Sequence, residues 1–349
     1  SAGRARLRDV IHSIRNGEWG GSRAMRILLK RGETGIHRGW CDLAWAFNAD
    51  GNNGYKRLEH AYIGTWGEGA APETEGLLNN HGLTLNEENR PKALVFDGIT
   101  IRGTYNPVTR DWDGDDRTFD TFNSQLRRGG YFLLNRCAVF NKYNYVVKFN
   151  AGGLDPRSPA LWAVNDFISE DCPSYDIYYP DGRAGTVKVA ITGGRSVQPV
   201  TGRKHFGFND GSNGISRTTP ENPRGYQDYA AYRGGGAIDI VIDAVETFAR
   251  MGWSGGGSWP DGTLKVAAQP AWRIGSSQSE VDARVQVTRC THEGESSLVA
   301  ISNAVSSHVP ARGNFLIDSC LHVVAAGTSG GSVGTEAAAT TVRNLLTTY

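Results

Sequence analysis

The sequence predicts an all-β protein: a single-stranded right-handed parallel β-helix, in which one chain winds through stacked coils. Three observations carry this. Seven segments share one pattern: LVFDGI (94–99), FLLNRC (132–137), WAVNDF (162–167), VAITGG (189–194), IVIDAV (240–245), VQVTRC (285–290) and FLIDSC (315–320). Each sets apolar residues three and one positions before a small polar marker, and most set another apolar residue two after it. The markers read Asp97, Asn135, Asn165, Thr192, Asp243, Thr288 and Asp318, with Asn344 as a frayed eighth, and both preceding columns are apolar throughout. The closest markers lie 26 to 30 residues apart, one coil, and gaps of 38, 45 and 51 residues read as a coil carrying an inserted loop. Internal repeats of this period are the mark of a solenoid.

The elements follow in chain order. Residues 7–14 place Leu7, Val10, Ile11 and Ile14 at helical spacing, which predicts a helix capping the first coil. Regular rungs run over 94–346, and 340–349 reads as a degraded rung that ends the stack. Asp, Asn and Thr suit the corners because their side chains bond neighbouring backbone and tolerate tight conformations. With rungs ~4.8 Å apart, like side chains stack into ladders. Cys137, Cys290 and Cys320 share the column two after the marker and read as small buried hydrophobes. Long insertions are expected at 209–236 and 253–270. The whole of 1–349 then forms one domain.

Composition narrows the function. Lys and Arg number 37 against 36 Asp and Glu, which excludes a generic electrostatic nucleic-acid binder. No run of 18 apolar residues exists, so no membrane span is expected. Five cysteines without CxxC or Cys/His spacing support neither a disulfide framework nor zinc. No secretory leader is visible in SAGRARLRDV, which does not argue for the cytoplasm. The 45 glycines, nine Trp and thirteen Tyr suit many turns and an aromatic-lined surface.

RILLKRGETG (26–35) followed by AYIGTWGEGAAPE (61–73) resembles the opening of secreted right-handed parallel β-helix proteins: polysaccharide lyases, glycoside hydrolases and phage tailspikes. In that group an apolar strand ends in a KRG-D/E-T turn, and a YIG-x-x-G-x-G-x-x-P segment closes the first coil. The resemblance implies an extracellular carbohydrate-active protein, monomeric, or trimeric if spike-like. The NTDG and GHG motifs of polygalacturonases have no match here, so no catalytic residue carries over.

A ligand site is expected where the later strand of each coil meets the insertions. Reading those strands as NYVVKF (144–149), SYDIYY (174–179), KHFGF (204–208), ARMGW (249–253), SSLVAI (296–301) and LHVVAA (321–326) gives an outward column of Val146, Asp176, His205, Arg250, Ser297 and His322. Lys148 and Tyr178 lie two positions along, followed by Val299 and Val324. Tyr145, Val147, Tyr175 and Ile177 face inward. The insertions add Asp210, Tyr226, Tyr229, Tyr232, Arg233, Trp253 and Trp259. Sugar faces stack on aromatic rings while charged groups fix hydroxyls and carboxylates, so this set suits a glycan cleft.

Three chemistries could use it. β-Elimination on a uronate needs a cation to neutralise the carboxylate, a base, and an acid for the leaving oxygen. Arg250 or Lys148, His205 and Tyr178 fit those roles. Hydrolysis wants two carboxylates ~5–9.5 Å apart, for which Asp176 and Asp210 are candidates. Binding without cleavage, as in an adhesin, needs neither. No cofactor is required, but Asp111, Asp113 and Asp115 alternate in DWDGDDRTFD as a candidate calcium loop. His292 and His322 each lie four after their marker and could stack; they read as surface or core-edge histidines, with a metal pair as the alternative.

Overall fold

The computed structural model describes residues 9–10, 13, 24–32, 41–42, 59–75, 78–79, 91–103, 122–126, 129–141, 147–150, 160–170, 175–178, 186–197, 232–233, 236–248, 271–274, 281–294, 298–301, 312–324, 333–335 and 340–348. Ten parallel strands form the first sheet: β1 (Ala24–Lys30), β3 (His60–Trp66), β6 (Ala93–Asp97), β9 (Tyr131–Asn135), β12 (Ala160–Asn165), β15 (Thr186–Thr192), β18 (Gly236–Asp243), β21 (Val281–Thr288), β24 (Arg312–Asp318) and β27 (Thr340–Arg343). Nine short strands form the second: β4 (Glu73–Glu75), β7 (Thr100–Arg102), β10 (Ala138–Phe140), β13 (Ile168–Glu170), β16 (Arg195–Val197), β19 (Glu246–Phe248), β22 (Thr291–Glu293), β25 (Leu321–Val323) and β28 (Leu346–Thr348). A third side is built from β8 (Phe122–Gln125), β11 (Val147–Asn150), β14 (Tyr175–Tyr178) and β17 (Tyr232–Arg233), and separately from β20 (Trp272–Ile274), β23 (Val299–Ile301) and β26 (Val333–Thr335). β2 (Cys41–Asp42) and β5 (Leu78–Asn79) pair apart from these. Successive coils stack in parallel, the architecture of a parallel β-solenoid. No helix among the described residues is long and apolar enough to cross a membrane.

The repeat pattern maps onto the first sheet residue for residue. Register pairs Asp97 with Asn135, Asn135 with Asn165, Asn165 with Thr192, Thr192 with Asp243, Asp243 with Thr288 and Thr288 with Asp318. The residue before each marker points into the solenoid: Phe96, Leu134, Val164, Ile191, Ile242, Val287 and Ile317 are at most 1% exposed. Burying one such side chain stabilises by about 1.5–3 kcal/mol, and the column continues without a break from coil to coil. Two corrections apply at its end. Arg343, not Asn344, stands opposite Asp318. Val342, which continues the inward column, is 45% exposed.

The corner differs from expectation in an informative way. The markers keep strand conformation, and the residue after each one takes the left-handed region: Gly98, Arg136, Asp166, Gly193, Ala244, Arg289, Ser319 and Asn344 have φ between 47° and 71°. Each non-glycine residue there costs on the order of 1–3 kcal/mol. A backbone bond across the coils offsets it: Arg136 N–H donates to Asn165 O and Asp166 N–H to Thr192 O, both at 2.9 Å. Nor do the markers chiefly bond local backbone. Asn135 Nδ2 donates to Asp97 Oδ1 (2.8 Å), Asn165 Nδ2 to Asn135 Oδ1 (2.7 Å) and Thr192 Oγ1 to Asn165 Oδ1 (3.1 Å), so the side chains form a ladder along the axis. Thr288 Oγ1 to Asp243 Oδ1 (2.7 Å) repeats the contact further on, and Asn344, one position past the marker column, donates Nδ2 to Asp318 Oδ1 (2.9 Å).

Behind the corner, Cys137, Cys290 and Cys320 are free and buried, as the column predicts. Burial pushes the Cys137 thiol up to about 12. Contact with Cys320 and burial likewise hold Cys290 protonated. Thiols in this state are packing groups, not nucleophiles.

Candidate functional site

The second sheet is too short for its inward face to be seen as a period. Each three-residue strand has one inward residue, four positions after the marker. On five successive coils it is polar: Ser169, Ser196, Thr247, His292 and His322 are all at most 1% exposed. Ser169 and Ser196 share a hydrogen bond of 2.8 Å. Thr247 Oγ1 donates to Thr291 O at 3.2 Å and lies 2.9 Å from His292 Nδ1. A hydroxyl has one proton to give, so with it on Thr291 O the imidazole Nδ1–H is the donor. His292 and His322 stack with centroids 5.2 Å apart and 27° between planes, and His322 Nε2 donates to Gly294 O at 3.3 Å. The two rings do stack, but both lie in the interior rather than at the surface or core edge. No group of three metal-binding side chains occurs among the described residues.

The third side corrects the sequence reading of where each coil's last strand lies. NYVVKF, SYDIYY and SSLVAI contain β11, β14 and β23 as expected. In the other coils the strands paired on this side are β17, β20 and β26; KHFGF and ARMGW lie outside the described residues, and the first three residues of LHVVAA are second-sheet β25. His322 is therefore inward, and Val299 and Val324, expected outward, are buried as well.

Where the strands are found, their register is clear. Phe122 and Val147, paired and fully buried, align with Tyr175. Lys148 stands opposite Asp176, in the alternate column with Asn123, rather than beside Tyr178. Tyr178 stands between Asn150 and Arg233. Tyr232 falls in the column of Phe149 and Ile177, which shares the alternation of buried Val147. Both Tyr232 and Arg233 are strand residues inside the stretch read as an insertion at 209–236. Beneath this side, Phe122 packs on Phe96 at 5.0 Å between centroids, and Leu126, Trp272 and Leu298 are fully buried. His205, Asp210, Tyr226, Tyr229, Arg250, Trp253 and Trp259, and the acidic Asp111, Asp113 and Asp115, lie outside the described residues.

A second polar cluster, missed in the sequence, sits on the outer face of the first sheet. Tyr62 lies flat over Gly64, where any Cβ would meet the ring at 2.5 Å. Its hydroxyl donates to Asp97 Oδ2 at 3.0 Å, and Arg136 Nη2 donates to Asp97 Oδ1 at 2.8 Å. Burial pushes the Asp97 carboxyl up, but the hydrogen bonds from Arg136, Tyr62 and Asn135 outweigh it and hold the group below its ordinary range. Burial, then the bond to Asp97, raises the Tyr62 phenol. The pair is thus a fixed donor and a fixed anion. Arg31 caps the cluster, with Nε 3.3 Å from Thr65 Oγ1 and Nη1 donating to Gly69 O at 3.1 Å. An arginine directly after the marker, as in Asn135-Arg136 and Thr288-Arg289, was the readable signal.

Comparison of the chain with protein-family models, curated proteins and solved structures finds no match. Function must be argued from the residues.

Proposed function

We propose that this chain is an extracellular carbohydrate-active protein that engages a uronate-containing polysaccharide along its third side and cleaves it by β-elimination. The observation that supports the reading is the register of β11, β14 and β17, which aligns Lys148 with Asp176 and Tyr178 with Arg233. Cations, a carboxylate and a phenol thereby occupy neighbouring coils ~4.8 Å apart, on a side whose first two strands are anchored by buried Phe122 and Val147. In this proposal Lys148 and Arg233 neutralise the substrate carboxylate, which makes the adjacent C–H acidic, and Tyr178 protonates the leaving oxygen. His205 is the proposed base and Arg250 a further cation, both from the connections that follow second-sheet strands. Arg233 takes a larger part than the sequence alone assigned it.

The finer architecture belongs to the same proposal: right-handed winding, one domain over 1–349, and the segment 7–14 as a cap. Asp9, Val10 and Ser13 are helical, and the Ser13 hydroxyl donates to Val10 O at 3.0 Å, which supports the helix.

The test is incubation with acidic and neutral polysaccharides, following the ultraviolet absorbance of unsaturated uronate and, in parallel, new reducing ends. Unsaturated product from the parent, lost in Tyr178→Phe and Lys148→Gln, is the expected result. Reducing ends without unsaturation would transfer the reading to hydrolysis by Asp176 and Asp210. Silence in both would leave glycan binding of the adhesin type.

A further inference from the structure

The outer face of the first two coils carries charge and aromatic surface that neither the core nor the third side uses. Arg26, Leu28 and Lys30 of β1 face outward in register with Tyr62, Gly64 and Trp66 of β3. Trp66 is 51% exposed and Leu28 39%. Arg26 Cζ lies 5.5 Å from the Tyr62 ring centroid, and Lys30 Nζ lies 5.8 Å from that of Trp66. Arg31 and Arg136 border the same surface, the latter with a side chain 63% exposed. Among the described residues the neighbouring carboxylates are Asp97, already bonded by Tyr62, Asn135 and Arg136, and Glu68 on the adjoining turn. Among the described residues, four cations thus stand near two carboxylates on this face, on a chain whose total charge is +1.

We propose that this face is a second glycan site: a platform that holds the carboxylate- or sulfate-bearing sugars of an acidic polysaccharide away from the site on the third side. The local chemistry fits such a ligand. Trp66 and Leu28 give a flat apolar surface for the C–H face of a pyranose ring, and the cations beside them meet the acid group that ring carries. Lys30 and Arg26 are four residues apart on one strand, about 13 Å, and Arg136, which follows β9 on the fourth coil and bonds Asp97 of the third, extends the surface along the axis. That span accepts more than one sugar. Gly64 is part of the construction, because only a missing side chain lets Tyr62 lie down and leave the platform level. An acidic glycan is favoured over a nucleic acid because polyphosphate binding draws on a broad basic excess, and this chain balances 37 cations against 36 anions. The ligand class rests on the function proposed above; the position of the site does not.

The experiment titrates the full chain with oligogalacturonate at low salt, with uncharged dextran and duplex DNA as comparison ligands. Parent protein is compared with Arg26→Gln/Lys30→Gln, with Trp66→Ala, and with Lys148→Gln/Tyr178→Phe, each checked by far-ultraviolet circular dichroism. Expected is a loss of oligogalacturonate affinity of tenfold or more in the two platform variants, with a fall in parent affinity as salt rises. The third-side variant keeps the platform component of binding whether or not the parent cleaves, which separates this proposal from the enzymatic one. Platform variants that bind as the parent does would overturn the proposal. So would equal affinity for dextran, tighter binding of DNA, or a parent that binds no acidic sugar.

Discussion

Replacing Asn165 tests the corner ladder, because the ladder has a direction. Asp97 can only accept, so Asn135 must present Nδ2 to it, and Asn135 Oδ1 is then left to face Asn165 Nδ2. Asn165 in turn accepts from Thr192 Oγ1 at 3.1 Å. Asn165→Ala removes both bonds. At about 1 kcal/mol each, the loss is about 2 kcal/mol. An unfolding entropy of about 2.1 cal/mol/K per residue over 349 residues makes that roughly 3 °C in Tm. Asn165→Asp is the sharper variant. It keeps the size and the acceptor for Thr192 but sets a carboxylate oxygen against Asn135 Oδ1, with no proton between them. The aspartate variant is therefore expected to be less stable than the alanine variant, despite the smaller change in shape. Urea midpoints and thermal melts at pH 7 rank the three proteins. An aspartate variant as stable as alanine, or both within about 0.5 kcal/mol of the parent, would show that the ladder is ornamental and that the backbone bonds alone hold the corner.

Other outcomes follow from the same geometry. Hydrogen bonding by Arg289 holds the Asp243 carboxyl below its ordinary range, as Asn344 does for Asp318 and Arg136, Tyr62 and Asn135 do for Asp97. A folded value below the unfolded one means that the unfolded chain binds more protons in acid. Stability from these groups is thus complete above about pH 4 and declines as pH falls through the folded values; Arg289→Gln should flatten part of the acid limb of a urea-midpoint profile and leave its neutral end almost unchanged. Gly193→Ala should cost about 1–3 kcal/mol for the left-handed backbone alone, because its Cβ meets the movable Asp166 carboxylate and other coils carry Arg, Asp or Ala there. Gly194→Ala puts its Cβ 2.2 Å from Phe167 O, a backbone atom, and should lower soluble yield and Tm far more. Trp162→Ala empties a fully buried site and should cost about 3–5 kcal/mol by urea unfolding.

The contrast between what could and could not be read in the sequence has a physical origin. Phe96 through Ile317 recur because every first-sheet strand must fill the same space at the same register, so seven independent copies report one constraint. The second sheet offers three residues per coil, and its inward ones at Ser169 through His322 are polar, which defeats a search for apolar alternation. Their common offset of four from the marker was visible in principle, and His292 and His322 were noticed on that basis. The third side failed for a different reason. Tyr232 and Arg233 read as part of an insertion, and only the pairing of β17 with β14 puts them on a strand. Tyr62 and Asp97 meet across 35 positions through a ring lying over a glycine, a contact that no local pattern encodes.

The placement of the insertions has a consequence for how such a chain can change. Between a marker and the second-sheet strand there are two residues, the first of them left-handed and tied to the next coil through its amide. That joint works as a fixed ruler: it sets the offset between the two long sheets identically on every coil and leaves no room for extra residues. The connection from second sheet to third side instead varies in length, from four residues between β13 and β14 to 34 between β16 and β17. A coil can gain or lose dozens of residues there while its neighbours keep their register, because loop closure grows costlier only slowly with length. One side of the molecule is thus held constant by the corner, and the opposite side is free to acquire new walls around whatever lies on β11, β14 and β17.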